Sequence, residues 1–311
     1  MAAKKNNNQG NTADKDFKYY TKAFWKIFLL GMGGVLLFFL FASWGLFGSM
    51  PSFEDLENPD SNLATEIISA DGVVLGKYFQ KNRSQLKYSD LPKNLVQALV
   101  ATEDERFYEH SGIDGRGTLR AIASLGSSGG ASTLTQQLAK QLFHGEGSKF
   151  LPFRIVQKVK EWIIAIRLER QYTKNEILAM YCNVYDFGNY SVGVSSAAQT
   201  YFSKEPKNLN IEESAILVGM FKNSGLYNPV RNPVGVKNRR NVVLAQMAKG
   251  DIITEKEKER LQGLPITLHF KLESHREGSA TYFREYLRDY MKKWVDENKK
   301  PDGSDYDIYK D

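Results

Sequence analysis

From Ile27 to Gly48 the chain carries no charged side chain. A helix needs about 20 mainly apolar residues to cross the hydrocarbon core of a bilayer, so this run predicts a transmembrane helix. Tyr19, Tyr20, Trp25 and Trp44 sit where amphipathic rings anchor a span at its two interfaces. The run is too long for the core of a signal peptide and lacks a clear small-residue cleavage site, so a retained anchor is expected. Lys4, Lys5, Lys15, Lys18, Lys22 and Lys26 precede it, whereas Glu54, Asp55, Glu57 and Asp60 follow. By the positive-inside rule the N-terminus lies in the cytoplasm and the chain after Ser49 lies outside. The expected localisation is the plasma (inner) membrane, single-pass, with the catalytic or binding part extracytoplasmic. That placement weighs against ATP-dependent chemistry and against nucleic acid as a partner.

The rest of the chain divides by pattern. Residues 1–22 are polar, Asn/Lys-rich and without periodicity, and read as a disordered cytoplasmic tail ahead of a span at 23–48. Residues 49–90 read as a stalk with a β-hairpin from Thr65 to Phe79, turning at Asp71-Gly72 between β-branched residues. Residues 91–250 are mostly helical in pattern, and 251–311 read as a linker. In that linker Pro265 to Phe270 is a short strand candidate, and Tyr282 to Glu297 an amphipathic helix. The expected class is mainly α, with a small β element near the linker. A hydrophobic content of 42% against 25% charged residues is globular. The net charge of +6 suits an anionic membrane surface or a phosphate-bearing ligand. Cys182 is the single cysteine, so no intramolecular disulfide exists, and its apolar helical setting predicts a small buried hydrophobe.

Five stretches carry chemistry. In the first, Leu91, Leu95, Ala98 and Leu99 have helical spacing, with Pro92 suited to the first turn and Gly112 to the stop. Glu103 falls four residues after Leu99, on the buried side, where a carboxylate is either a structural partner for a cation or a chemical group. The second runs Gly129-Gly-Ala-Ser-Thr-Leu-Thr-Gln-Gln-Leu-Ala-Lys140. Its glycines let backbone approach a ligand. Thr133 and Gln136 have capping-box spacing, and a helix N-terminus beside Lys140 suits a phosphate or pyrophosphate. It is not a P-loop. In the third, Val156, Val159, Ile163 and Ile166 form an apolar stripe, and Arg154, Lys158 and Glu161 share a second face. The fourth, Lys174 to Phe202, alternates helices with a glycine-bearing turn and reads as scaffold. The fifth spans Glu213 to Met247.

Taken together, these stretches resemble the family 51 glycosyltransferases, the peptidoglycan glycosyltransferase domains of class A penicillin-binding proteins and of monofunctional transglycosylases. The resemblance covers roughly residues 80 to 250, in the family's order. Glu103, Asp104, Phe107, His110 and Gly112 match its first motif. Gly130, Ser132, Thr133, Thr135, Gln136, Gln137 and Lys140 match the second, and Lys158 and Glu161 the third. Gln157 stands where the family usually has Arg, Ala179 where it often has Glu, and Gln141 where Asn is frequent. Arg154, on a similar helix face, would supply the cation that Gln157 lacks.

The resemblance implies a lysozyme-like helical domain behind the anchor that polymerises lipid II into β-1,4 glycan strands with inversion. The partners it implies are lipid II, the growing lipid-linked strand, the membrane and other cell-wall synthesis proteins. Glu103 is the expected general base. Lys140, Lys158 and the helix start near Ser132 would neutralise the leaving pyrophosphate. Glu161 would position the donor or a divalent cation, Mg or Mn, across a cleft from Glu103. Asn183 joins the expected substrate-binding set. A lytic glycan hydrolase and a non-enzymatic cell-wall scaffold are the competing classes. The first would need no basic pyrophosphate cluster, and the second predicts no effect of Glu103→Gln. Ser84-Gln-Leu-Lys87 fits a transpeptidase nucleophile pattern, but it precedes the helical region, and no Lys-Thr-Gly follows. Glu273 to Leu287 resembles the linker of bifunctional members, so the chain reads as the N-terminal part of one.

Overall fold

A computed structural model describes residues 10–46, 65–72, 74–78, 82–83, 86–124, 130–143, 150–272, 281–301 and 303–306. The elements in order are α1 (Gly10–Ser43), β1 (Thr65–Ile68), β2 (Val74–Tyr78), β3 (Asn82–Arg83), α2 (Lys93–Glu103), α3 (Gly115–Ala123), α4 (Leu134–Phe143), α5 (Leu151–Gln171), α6 (Lys174–Val184), β4 (Ser191–Val192), α7 (Gly193–Phe202), α8 (Ile211–Met220), α9 (Pro233–Lys249), α10 (Glu255–Gly263) and α11 (Thr281–Glu297). The class is mainly α, as the patterning predicts. The chain forms two compact units, Met1–Pro51 with Gly147–Ile163, and Ser52–Glu146 with Ile164–Asp311.

In the first unit, Phe17–Ser43 of α1 is long and apolar enough to cross a membrane, and none of its most apolar window is buried. Ile27, Leu30, Leu36 and Leu37 all stand exposed. Such an exposed apolar surface is of the kind that membrane-spanning helices present. The helix starts at Gly10, so residues 10–22 are helical where a disordered tail is expected. Extending an existing helix avoids the cost of nucleation, and no proline interrupts this stretch. The expectation for residues 1–9 lies outside the described residues. Phe39 stacks on Trp162 in the same unit, with ring centroids 6.2 Å apart.

The second unit begins with the expected hairpin. Strands β1 and β2 pair antiparallel, Thr65 opposite Tyr78 and Ile67 opposite Gly76. Gly72 closes the turn at φ +84°, and its N–H donates to the Ser69 carbonyl (2.9 Å). β3 pairs in parallel with β4, which leads into α7.

Helix α2 packs on α8 and α9, and α4 packs on α6. Leu95, Leu99, Leu134, Leu138, Ile177, Leu217, Val243, Leu244 and Met247 are buried among them. The helix starts are written locally. Thr173 and Asn210 form reciprocal capping boxes with Glu176 and Glu213, and Asn232 caps α9 ahead of Pro233.

Helix α2 ends at Glu103, nine residues before Gly112, because Asp104 leaves helical geometry (φ −157°). On α5 the buried residues after the unit boundary are Ile164, Ala165 and Leu168, whereas Ile166 is exposed. The apolar stripe expected through Ile166 is therefore rotated, because the backbone of Ala165 meets Gly112.

The strand expected at Pro265 to Phe270 belongs to no sheet. Its backbone donates from His269, and that of the following Lys271, to the carbonyls of Tyr201 and Thr200 (3.0 and 2.8 Å). Those carbonyls sit at the C-terminal end of α7, where helical partners run out. This segment therefore completes a helix end instead of a β-ladder.

Candidate active site

The last residue of α2 is Glu103, its side chain 15% exposed. Two groups fix the carboxylate. Arg239, from α9, places Nη2 3.1 Å from Oε1, and Gln137, from α4, donates Nε2 to Oε2 at 3.2 Å. The Gln137 carbonyl in turn accepts from the Tyr181 hydroxyl at 2.8 Å. Burial, and then the nearby Glu103 charge, hold the Tyr181 phenol well above the ordinary tyrosine range. Arg239 has little freedom, because a Cβ on Gly219 would lie 3.0 Å from its Cγ and its Nε reaches the Gly219 carbonyl. Among the described residues, side chains thus engage two of roughly four carboxylate lone-pair sites.

Glu103 lies on the wall of a cavity of about 930 Å³. The same cavity is lined by Asp104, Gly130, Ser132 and Thr133, and by the cations Arg106 and Arg120. Arg106 is paired with Asp114. Burial pushes the Asp114 carboxyl up, but Arg106 and the Gly117 amide outweigh it and hold it below the usual range. A Cβ on Gly130 would meet nothing within 4 Å. No protein atom therefore demands glycine there, and open space faces the backbone.

The neighbouring residues of the first two motifs lock those motifs together. Asp104 accepts from the Leu134 N–H (2.9 Å) at the start of α4 and holds His110 Nε2 at 3.1 Å. The Gly112 carbonyl accepts from Thr133 Oγ1 (2.7 Å) and Gln136 Nε2 (3.2 Å). Only half of the expected capping box forms: Gln136 N–H donates to Thr133 Oγ1, while the Gln136 side chain turns to Gly112. Thr135 donates to Glu169, which also holds Lys174, and that ammonium lies 4.3 Å from the Phe107 ring centre. The start of α4 is therefore partly occupied by the protein's own Asp104 and Thr133. Lys140 is exposed at the other end of α4 and does not line the cavity. Asn183 is buried and pairs both ways with the Leu86 backbone (2.9 and 2.8 Å), fixing the segment before α2.

Lys158 and Glu161 belong to the first unit, where Nζ lies 2.9 Å from Oε2 and Glu161 is buried. Arg154, one turn earlier, is exposed. Among the described residues no group of three or more His, Cys, Asp or Glu side chains gathers to hold a metal ion. Sequence reasoning did not single out Arg239, Tyr181, Arg106 or Arg120. Arg239 is 136 residues from the carboxylate it pairs with, a separation at which no local spacing rule operates.

Residues 71–248 match the family model described as Transglycosylase. Penicillin-binding protein 1A of Vibrio cholerae is 35% identical over 267 residues, 85% of this chain and 31% of the relative. Penicillin-binding protein 1A of Pseudomonas aeruginosa is 34% identical over 83% of this chain and 31% of its own length. Penicillin-binding protein 1F of Bacillus subtilis is 38% identical over 68% of this chain and 29% of its own length. This chain thus spans under a third of each of these relatives. The crystal structure of Penicillin-Binding Protein 1A from Haemophilus influenzae aligns with a TM-score of 0.42 at 25% identity, covering 76% of this chain and 25% of that one.

Proposed function

This chain belongs to the transglycosylase family, and on that premise we propose that it extends peptidoglycan strands from lipid II, with Glu103 as the general base. The observation that carries the reading is a carboxylate pinned on two sides at the wall of a cavity large enough for sugar rings. In the proposed step the 4-hydroxyl of the acceptor sugar attacks the anomeric carbon of the donor. The bond from that carbon to the pyrophosphate oxygen breaks, and the lipid pyrophosphate leaves with the electron pair. The hydroxyl proton passes to a free lone pair of Glu103. Attack opposite the leaving group inverts the anomeric centre and gives a β-1,4 link.

A pyrophosphate leaving group needs neutralisation more than protonation. The resemblance implies that role for Lys140 and for Lys158, with Arg154 standing in for the family's arginine at Gln157, while the cavity itself is lined by Arg106 and Arg120. Glu161 is assigned to the donor. The divalent cation that the resemblance implies would draw most of its oxygen ligands from the substrate's own phosphates, and no step here runs through it. The exposed apolar surface of α1 supports a membrane anchor. The lysines before it and the acids after it support a cytoplasmic N-terminus and an extracytoplasmic catalytic region.

The test is Glu103→Gln in purified protein given lipid II. Wild-type protein is expected to make long glycan and release lipid pyrophosphate, and the variant to lose about 10²–10⁴ in rate with its helical signal intact. Turnover above a tenth of wild type would remove Glu103 as the base. Short fragments released from existing peptidoglycan, with no use of lipid II, would favour the hydrolase instead.

A further inference from the structure

Resting on the reading of Glu103 as the base, we propose that Tyr181 is a positioning residue for the transfer: through the Gln137 amide, its hydroxyl holds the Glu103 carboxylate in one orientation towards the cavity. An ionised carboxylate only accepts hydrogen bonds. Gln137 must therefore turn its amino group to Glu103 Oε2 (3.2 Å), which points its carbonyl away. The Tyr181 hydroxyl donates into that carbonyl at 2.8 Å.

The phenol is held there firmly. Tyr181 is fully buried, and its ring stacks on Phe221 with centroids 4.8 Å apart. Its high pKa keeps the hydroxyl proton in place, so it stays a donor. A flipped Gln137 would face its carbonyl against the carboxylate and leave the phenol hydrogen without its present acceptor, which is costly for buried groups.

Arg239 completes the arrangement from the other side. A proton on Oε1 in the Arg239 direction would face a guanidinium, and one on Oε2 in the Gln137 direction would face an amino group. The lone pairs left for a proton are the ones neither donor occupies. Tyr181 touches no substrate in this scheme. It sets which face of the Gln137 amide the base meets.

The experiment uses the full chain in detergent with lipid II, with rates normalised to folded protein by circular dichroism. Y181F is expected to lower kcat by about fivefold, the worth of one ordinary hydrogen bond, with KM unchanged. Q137L should lower kcat at least as much. The double variant Y181F/Q137L should be no slower than Q137L alone, because Tyr181 acts only through that amide. Y201F is the control. That buried hydroxyl donates to the Phe187 carbonyl instead (2.8 Å), and its loss should leave kcat unchanged.

Wild-type kcat in Y181F, a raised KM with kcat unchanged, or multiplying effects in the double variant would each overturn the proposal. Should Y181F fail to fold, an unchanged kcat in Q137L overturns it equally. Failure of the base reading is separately visible: it appears as activity in Glu103→Gln, whatever Y181F does.

Discussion

Replacing Gly112 by alanine tests how tightly the first motif is seated. Gly112 has φ +87°, and a Cβ there would lie 2.8 Å from the Ala165 carbonyl oxygen, 2.9 Å from its carbon and 3.1 Å from the Ile166 nitrogen. All three are main-chain atoms of α5, which cannot swing aside as a flexible side chain would. A left-handed backbone costs alanine about 1–2 kcal/mol, and forcing extra volume into a packed site costs about 1–3 kcal/mol. Any retreat of Gly112 also moves its carbonyl from Thr133 and Gln136, at about 1 kcal/mol per hydrogen bond. The total is about 4–7 kcal/mol, a large part of the roughly 5–15 kcal/mol that holds a typical domain. For a domain of this size that is a Tm lowered by roughly 10 °C or more. The assay is thermal unfolding of the full chain in detergent, followed by circular dichroism. Gly130→Ala is the comparison, since its Cβ meets nothing within 4 Å, and its Tm should not move. A Gly112→Ala protein melting within about 2 °C of wild type would refute the steric argument.

Two further outcomes are expected. Burial raises Tyr185 and Tyr201 to about 12 and holds Tyr181 well above the ordinary tyrosine range. Their folded pKa values exceed the unfolded ones, so stability is complete below about pH 10 and falls as pH rises towards 12. At pH 11 the buried Tyr201 alone would cost roughly 1 kcal/mol, and urea midpoints that stay level between pH 8 and 11 would contradict this. The stretch from Leu142 to Phe153 is expected to touch the membrane. Residues 144–149 lie outside the described residues, but Phe150 and Phe153 are 61% and 62% exposed, with rings 5.5 Å apart. With residues 1–48 removed, changing Phe143, Phe150 and Phe153 to Ser should weaken liposome binding. Unchanged binding by a folded variant would rule the contact out.

Elements whose causes are local were legible in the sequence. The apolar run of α1, the Asp71-Gly72 hairpin and the position of Glu103 near the end of α2 each follow from spacing of a few residues. What was not legible depends on distant partners. The pairing of Glu103 with Arg239 and the turn of Gln136 to Gly112 are set by packing of α2, α4 and α9. The Pro265 to Phe270 segment shows the same limit. Its alternating pattern reads as a strand, but its hydrogen-bond partner is a helix end, which period-2 patterning cannot specify. The start of α1 at Gly10 was missed because composition measures polarity and not the ease of extending a neighbouring helix.

Arg239 and Arg240 are adjacent on α9 but face different tasks. Arg240 is wholly buried, and its guanidinium holds the carbonyls of Gln262, Leu264 and Pro265 at 2.9–3.3 Å. Burial lowers its pKa, and the charge of Glu212 opposes that shift. Through these bonds the chain leaving α10 is moored to α9 one residue from the guanidinium that meets Glu103. Tension or displacement arriving along the downstream chain meets the bonds of His269 and Lys271 to α7 first and this anchorage next, at one peptide's remove from the side chain that pairs with Glu103.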